Sequence, residues 1–274
     1  MAGTNDDVVT QSTPGAGAPA HAKPAWFHFR LRTLLVLPAA LLVIAVVYGP
    51  RQIAQQRALV AIRQMKGIVR TEPVSLPGLR ELAGEDYAQQ ILEVYLRNPE
   101  VRDADLKPLS GLQGLQKLEL VGAAVTDEGL PYLADLNDLY ILHLSDTQVG
   151  DSGMKSLQGL DSLGVLSLNH TQVTDVGLES LAGLPHLERL FLDDTKVTDA
   201  GLESLGRITT LKELTLVRTG VTDAGLQKLA SLKNLEVLKL RETQVSDAAI
   251  YELKKVLPDC YIEAAGDGQA GSGV

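Results

Sequence analysis

Asp146, His170 and Asp194 recur at intervals of 24 residues, and Asp193 stands beside the last of them. Two carboxylates and an imidazole are ligand types for a divalent cation, and a bound cation would turn a coordinated water into a hydrolytic nucleophile near neutral pH. That chemistry requires three side chains distant in sequence to converge. Solvated charges that balance one another are the competing account of the same residues. The rest of the chain offers little chemistry: it has no glycine-rich phosphate loop, no His-Glu metal helix and no nucleophile elbow. His21, His28 and His186 are scattered, and only His143 and His170 fall near strand positions. Cys260 is the single cysteine, which excludes an internal disulfide framework and a multi-cysteine zinc site. With no histidine near it in sequence, it reads as a small buried hydrophobe.

The elements that would position these residues come from a repeat. Leu118, Leu142, Leu166, Leu190, Leu214 and Leu238 form one column, and Leu120, Leu144, Leu168, Leu192, Leu216 and Leu240 the next. Val125, Val149, Val173, Val197, Val221 and Val245 follow, then an acid two places on: Asp127, Asp151, Asp175, Asp199, Asp223 and Asp247. In the unit 163–184, alternation predicts a strand with Leu166 and Leu168 inward, then a helix with Leu178, Leu181 and Leu184 inward. Such a unit cannot bury its apolar face alone, so neighbours must stack into a solenoid. Thr171 or Asp175, short polar residues near the turn, is expected to accept orphan backbone N–H groups and so cap the helix. Gly129, Gly153, Gly177, Gly201 and Gly225 are expected to allow close approach between neighbouring helices, with Ala249 tolerated where no unit follows. Stepping the columns back by 24 lands on Val94, Leu96, Val101, Asp103, Leu106 and Leu109, a degenerate first unit starting near Ile91.

The string L-x-x-L-x-L-x-x-T-x-V-T-D-x-G-L-x-x-L-x-x-L resembles the leucine-rich repeat family over about residues 91 to 262. It is closest to the subtype with Cys or Asn where this chain has Thr147, Thr171, Thr195, Thr219 and Thr243. That subtype occurs in substrate-reading subunits of ubiquitin ligases and in many bacterial proteins, some of them membrane-anchored. The ligase role is not carried over, because an N-terminal adaptor box is missing. The resemblance implies an α/β solenoid of seven units, with a curved parallel sheet on the concave side and short helices on the convex side, whose strand side binds another macromolecule.

On that strand side the outward columns read Lys117, Ile141, Val165, Arg189, Glu213, Val237; Glu119, His143, Ser167, Phe191, Thr215, Lys239; and Val121, Ser145, Asn169, Asp193, Val217, Arg241. Ile141, Val165 and Phe191 ringed by His143, Arg189, Asp193 and Asp194 have the composition of a protein-binding centre, an exposed aromatic and aliphatics inside a polar rim. β-branched and aromatic residues also favour strands for their own sake.

Thr33 to Pro50 is an uncharged run of eighteen residues, about 27 Å as a helix, and predicts one membrane-spanning anchor. A cleaved signal peptide is the rival, opposed by the length of the run and the lack of an A-x-A-like site. Cations flank both ends, so the positive-inside rule casts no clear vote; the short N-terminal tail favours export of the repeats. The organisation expected is therefore a disordered tail (1–25), an anchor (26–50), a juxtamembrane helix over 52–65 with a connector (51–78), a repeat domain opened by a capping helix over 79–90 (79–263), and a flexible tail (264–274). Net charge is −9 overall, but residues 85–274 hold sixteen cations against thirty acids, a poor match for nucleic acid. The expected function is a non-enzymatic, membrane-anchored protein-interaction module, without cofactor or small-molecule substrate and with its repeats outside the cytoplasm. The alternatives are a structural or adhesive envelope component binding glycan or itself, and a hydrolase built on Asp146, His170 and Asp194.

Overall fold

The computed structural model describes residues 49–73 and 89–264. It opens on helix α1 (Gly49–Gln64), followed by strand β1 (Ile68–Pro73) and β2 (Gln89–Tyr95). Seven three-residue strands come next: β3 (Lys117–Glu119), β4 (Ile141–His143), β5 (Val165–Ser167), β6 (Arg189–Phe191), β7 (Glu213–Thr215), β8 (Val237–Lys239) and β9 (Tyr261–Glu263). Among the described residues these form one nine-stranded sheet in chain order. β1 runs antiparallel to β2, and every later pair is parallel. Leu118 pairs with Leu142, and each leucine after it with the next, up to Ile262. A repeat of 24 is thus a register of zero between successive strands, and both leucine columns stack into a dry spine at 0–1% exposure. The valine column follows them inside except for Val245, half-buried in the last unit.

The helical side varies along the chain. The first two units carry 3-10 turns (Asp103–Leu109, Leu130–Leu133), each containing a proline, Pro108 or Pro131, that cannot donate an N–H. Later units form α2 (Asp151–Met154), α3 (Asp175–Leu181), α4 (Gly201–Leu205), α5 (Asp223–Leu226) and the longer α6 (Asp247–Val256).

The repeated polar residues hold one unit to the next, which differs from local helix capping. Thr147, Thr171, Thr195 and Thr219 are buried and donate their hydroxyls to Leu144, Leu168, Leu192 and Leu216 carbonyls at 2.6–2.7 Å. They satisfy an acceptor, where the sequence suggested a donor. The α3 and α5 caps are Thr174 and Thr222, whose side chains accept from Val176 N and Ala224 N. The aspartates reach forward instead: Asp151 accepts from Thr174 N at 2.8 Å and Thr174 Oγ1 at 2.7 Å, and Asp175, Asp199 and Asp223 repeat the pattern on Thr198, Thr222 and Ser246. Asp127 meets Gly150, which has no hydroxyl, and accepts from its N–H alone.

This explains the glycine column. A Cβ on Gly177 would lie 2.6 Å from Asp151 Oδ1, and Gly153, Gly201 and Gly225 face the preceding unit's aspartate in the same way. The notch serves a carboxylate from behind, so the lack of a following unit does not account for Ala249. There Ser246 accepts from Ala249 N, one residue further along than the bonds made by Thr174 and Thr222, and the altered first turn admits a methyl group.

The N-terminal elements depart most from expectation. The helix expected over 52–65 forms, but as part of the solenoid: Ala58 and Ile62 are buried in the core, and buried Gln55 accepts from Ile91 N at 2.9 Å. The connector after Gly67 contains strand β1. Of the capping helix placed over 79–90, residues 79–88 lie outside the described residues, whereas Gln89 and Gln90 open β2. Thr33–Tyr48 of the anchor also lies outside them, as do the tails 1–25 and 265–274; Gly49 and Pro50 form the first turn of α1. Among the described residues no helix is long and apolar enough to cross a membrane.

Candidate binding face

Strands rise with successive side chains on opposite faces, so placing both leucines inward sends positions 117, 119 and 121 of the first full unit, and their equivalents, outward. Ile141 pairs with Val165, Val165 with Arg189, and Ser167 with Phe191. The proposed apolar trio therefore occupies three adjacent strands about 4.8 Å apart. Ile141, Val165 and Phe191 are each half-buried, so the aromatic is a packed surface residue and not a freely exposed one. Arg189 is open and lies 3.9 Å from Glu213 Oε2. Asp193 has a structural task as well: its carboxylate accepts from Val217 N at 2.9 Å, as Asn169 accepts from Asp193 N at 2.9 Å. Thr215 Oγ1, on the strand next to Phe191, is buried without a partner.

The column Asp146, His170, Asp194 proves to be the turn that ends each strand. All three have positive φ, near +54 to +58°, as do Arg218 and Glu242; Gly122 occupies the first such turn. Non-glycine residues in this region are uncommon, Asp and His being among those that tolerate it best. The side chains form a ladder in which carboxylates alternate with nitrogen-bearing groups. His170 lies 3.5 Å from Asp146 Oδ1 and 2.9 Å from Asp194 Oδ2; Arg218 takes both Asp194 oxygens and reaches Glu242 at 3.2 Å. The hydrogen bonds from Arg218 hold the Asp194 carboxyl below its usual range, and the same contacts push the guanidinium upward. The residues converge as the spacing suggested, but Asp194 is already saturated by a bidentate arginine. Among the described residues no group of three potential ligands stands ready to hold a metal.

A second cluster went unrecognised in the sequence. Glu119, 3% exposed, receives Lys117 Nζ at 2.9 Å and Arg97 Nε at 2.6 Å, with His143 Nδ1 at 3.7 Å. Burial pushes the Glu119 carboxyl up, but the hydrogen bonds from Lys117 and Arg97 outweigh it and the net displacement is downward. Burial also lowers His143 and so favours its neutral imidazole. Lys117 and Arg97 approach the Tyr95 ring at 4.9 and 5.8 Å from its centroid, and the Tyr95 hydroxyl donates to Glu93 Oε2 at 2.5 Å. Carrying the outward columns back one more unit, to Glu93 and Tyr95, would have exposed this cluster.

Cys260, behind β9, is 5% exposed with its thiol pushed up to about 11 by burial, as suits a packing residue.

A continuous parallel sheet on one face, short helices on the other and a stacked leucine spine between them make up a leucine-rich repeat type of solenoid fold. Residues 137–197 match the family model described as leucine rich repeat, and residues 207–230 match a second model of the same description. Internalin C2 of Listeria monocytogenes resembles the chain at 25% identity over 64% of this chain and 80% of its own, with a TM-score of 0.52. Another internalin from that organism, inlF, shares 23% identity over 69% of this chain and 57% of its own, with a TM-score of 0.51, a likeness of fold alone. No curated protein sequence matches.

Proposed function

We propose that the chain is a non-enzymatic protein-interaction module, tethered to a membrane by Thr33 to Pro50, that engages a protein partner through the strand face. The observation that carries this reading is the pairing of Ile141 with Val165 on adjacent strands and the diagonal placing of Phe191 on the next, bordered by the open guanidinium of Arg189 and the half-buried imidazole of His143. Apolar centres inside polar rims are the part of an interface that yields most of the binding energy. Leucine-rich repeat domains commonly serve as interaction modules, which supports the class. The acidic balance of residues 85–274 disfavours nucleic acid. The apolar run supports an anchor, and the reading places the repeats outside the cytoplasm.

The test is photo-crosslinking from position 165 in native membranes, with and without Phe191→Ala. A discrete crosslinked protein that disappears in the variant supports the reading, whereas one retained unchanged removes Phe191 from the centre. Protease treatment of intact and opened cells reads sidedness independently: digestion of the repeats only after opening refutes export.

A further inference from the structure

Helix α1 closes one end of the solenoid, and the end unit of a repeat array normally turns a polar face to water. The outer face of α1 sets aliphatics among its polar groups instead. Ile53 and Val60 are 53% and 54% exposed. Ile53, Arg57 and Val60 follow one another at i, i+4, i+7 and form a single stripe, opposite the side that buries Ala58 and Ile62. Charge on this segment is one-sided. Arg51, Arg57, Arg63, Lys66 and Arg70 fall between Gly49 and Thr71 without one acid, on a domain that is otherwise strongly acidic. Of these five only Arg70 has an ion-pair partner among the described residues, Glu93 at 2.9 Å.

Exposed aliphatics alternating with unpaired arginines suit the boundary between acyl chains and anionic headgroups, where cations remain hydrated beside phosphate or carboxylate and the aliphatics enter the apolar layer. The sequence places α1 at that boundary, since it starts at Gly49 where the uncharged run ends. We infer that the outer face of α1 docks on the anionic lipid surface of the bilayer in which the chain is anchored. This inference rests on the anchor reading and adds to it. α1 is at once the cap of the solenoid and its footing, with Arg57 and Arg63 binding headgroups and Ile53 and Val60 wedged between them. A rigid contact here would fix the direction in which the strand face looks, because α1 is packed into the same core.

The full-length chain reconstituted in nanodiscs tests this. A fluorophore is placed at Val60→Cys, or at Val176→Cys as a distant exposed control; native Cys260 is too buried to compete. With headgroup spin-labelled lipid in discs containing phosphatidylserine, the label at 60 is expected to be quenched, the label at 176 to stay bright, and high salt or neutral phosphatidylcholine to relieve the quenching. Each cation near an anionic surface is worth about fivefold in docking, so R57Q/R63Q is expected to lower the docked-to-free ratio about thirtyfold. If the chain enters the discs but position 60 is no more quenched than 176, the inference is overturned and the anchor stands. Failure to enter the discs at all overturns both.

Discussion

Asp151→Ala removes three hydrogen bonds that join successive units: from Thr174 N at 2.8 Å, Thr174 Oγ1 at 2.7 Å and Gly177 N at 3.0 Å. Bonds to a charged acceptor contribute about 1.5–3 kcal/mol each at best, and this site is only partly buried, so the expected loss is about 2–4 kcal/mol in total. Gly177→Ala fails for the reciprocal reason. A Cβ there would sit 2.6 Å from Asp151 Oδ1 and 3.0 Å from Met154 Cγ. Overpacking of that kind costs about 1–3 kcal/mol, offset by the ~1 kcal/mol by which alanine outranks glycine inside a helix. Carboxylate and notch are two halves of one contact, so the two losses are coupled. With Asp151 truncated, Gly177→Ala loses its main obstacle, so the double variant is expected to be as stable as Asp151→Ala or more stable by up to ~1 kcal/mol, a coupling of about 1–3 kcal/mol. Urea unfolding of the four proteins, followed by circular dichroism, gives the cycle. Additivity within about 0.5 kcal/mol would refute the pairing of the aspartate and glycine columns.

Thr215→Val removes a buried hydroxyl that has no partner, so the variant is expected to be as stable as the parent or more stable by up to about 1 kcal/mol, read from the same urea midpoint. The Asp223 carboxyl is held low by the N–H and hydroxyl of Ser246, so its contribution is complete above about pH 4 and is lost as pH falls through the depressed folded value. The protection of the Ser246 amide from hydrogen exchange, taken relative to the intrinsic rate at each pH, is expected to fall on acidification in the parent and to be low at all pH values in Asp223→Ala. The Cys260 thiol, raised to about 11, favours the folded state less as pH rises above about 8.5, where an unfolded thiol ionises. Cys260→Ala is expected to flatten that alkaline limb, and the folded parent to resist thiol reagents at pH 8; rapid labelling there would contradict the burial.

The spine was legible because period two within a strand and period 24 between strands are both written in one residue type. Leu118 to Leu240 needed no tertiary information. β1 was not legible: Ile68–Pro73 reads I-V-R-T-E-P, ending in a proline, and its status as a strand depends on the β2 edge it covers. The roles of Thr171 and Asp175 were assigned to the wrong partners because a donor within the turn and an acceptor one unit away leave the same signature in sequence. The candidate face was legible as a set of columns, and its apolar members fall on three successive strands. What the columns concealed was depth. Phe191 sinks between neighbours, Asp193 is engaged by a backbone amide, and the backbone of Asp146, His170 and Asp194 adopts a positive φ that only Gly122 advertised.

The forward reach of the aspartates gives the array a direction. At the finished end, an acid such as Asp247 without a successor simply faces water, which suits a carboxylate. At the other end, a unit stripped of its predecessor would lose the acceptor for its first-turn amide and hydroxyl and leave a glycine notch empty. A nascent chain leaves the ribosome with its N-terminus leading, so each unit emerges to find its acceptor already in place and commits on arrival, while no unit must wait for one still being made.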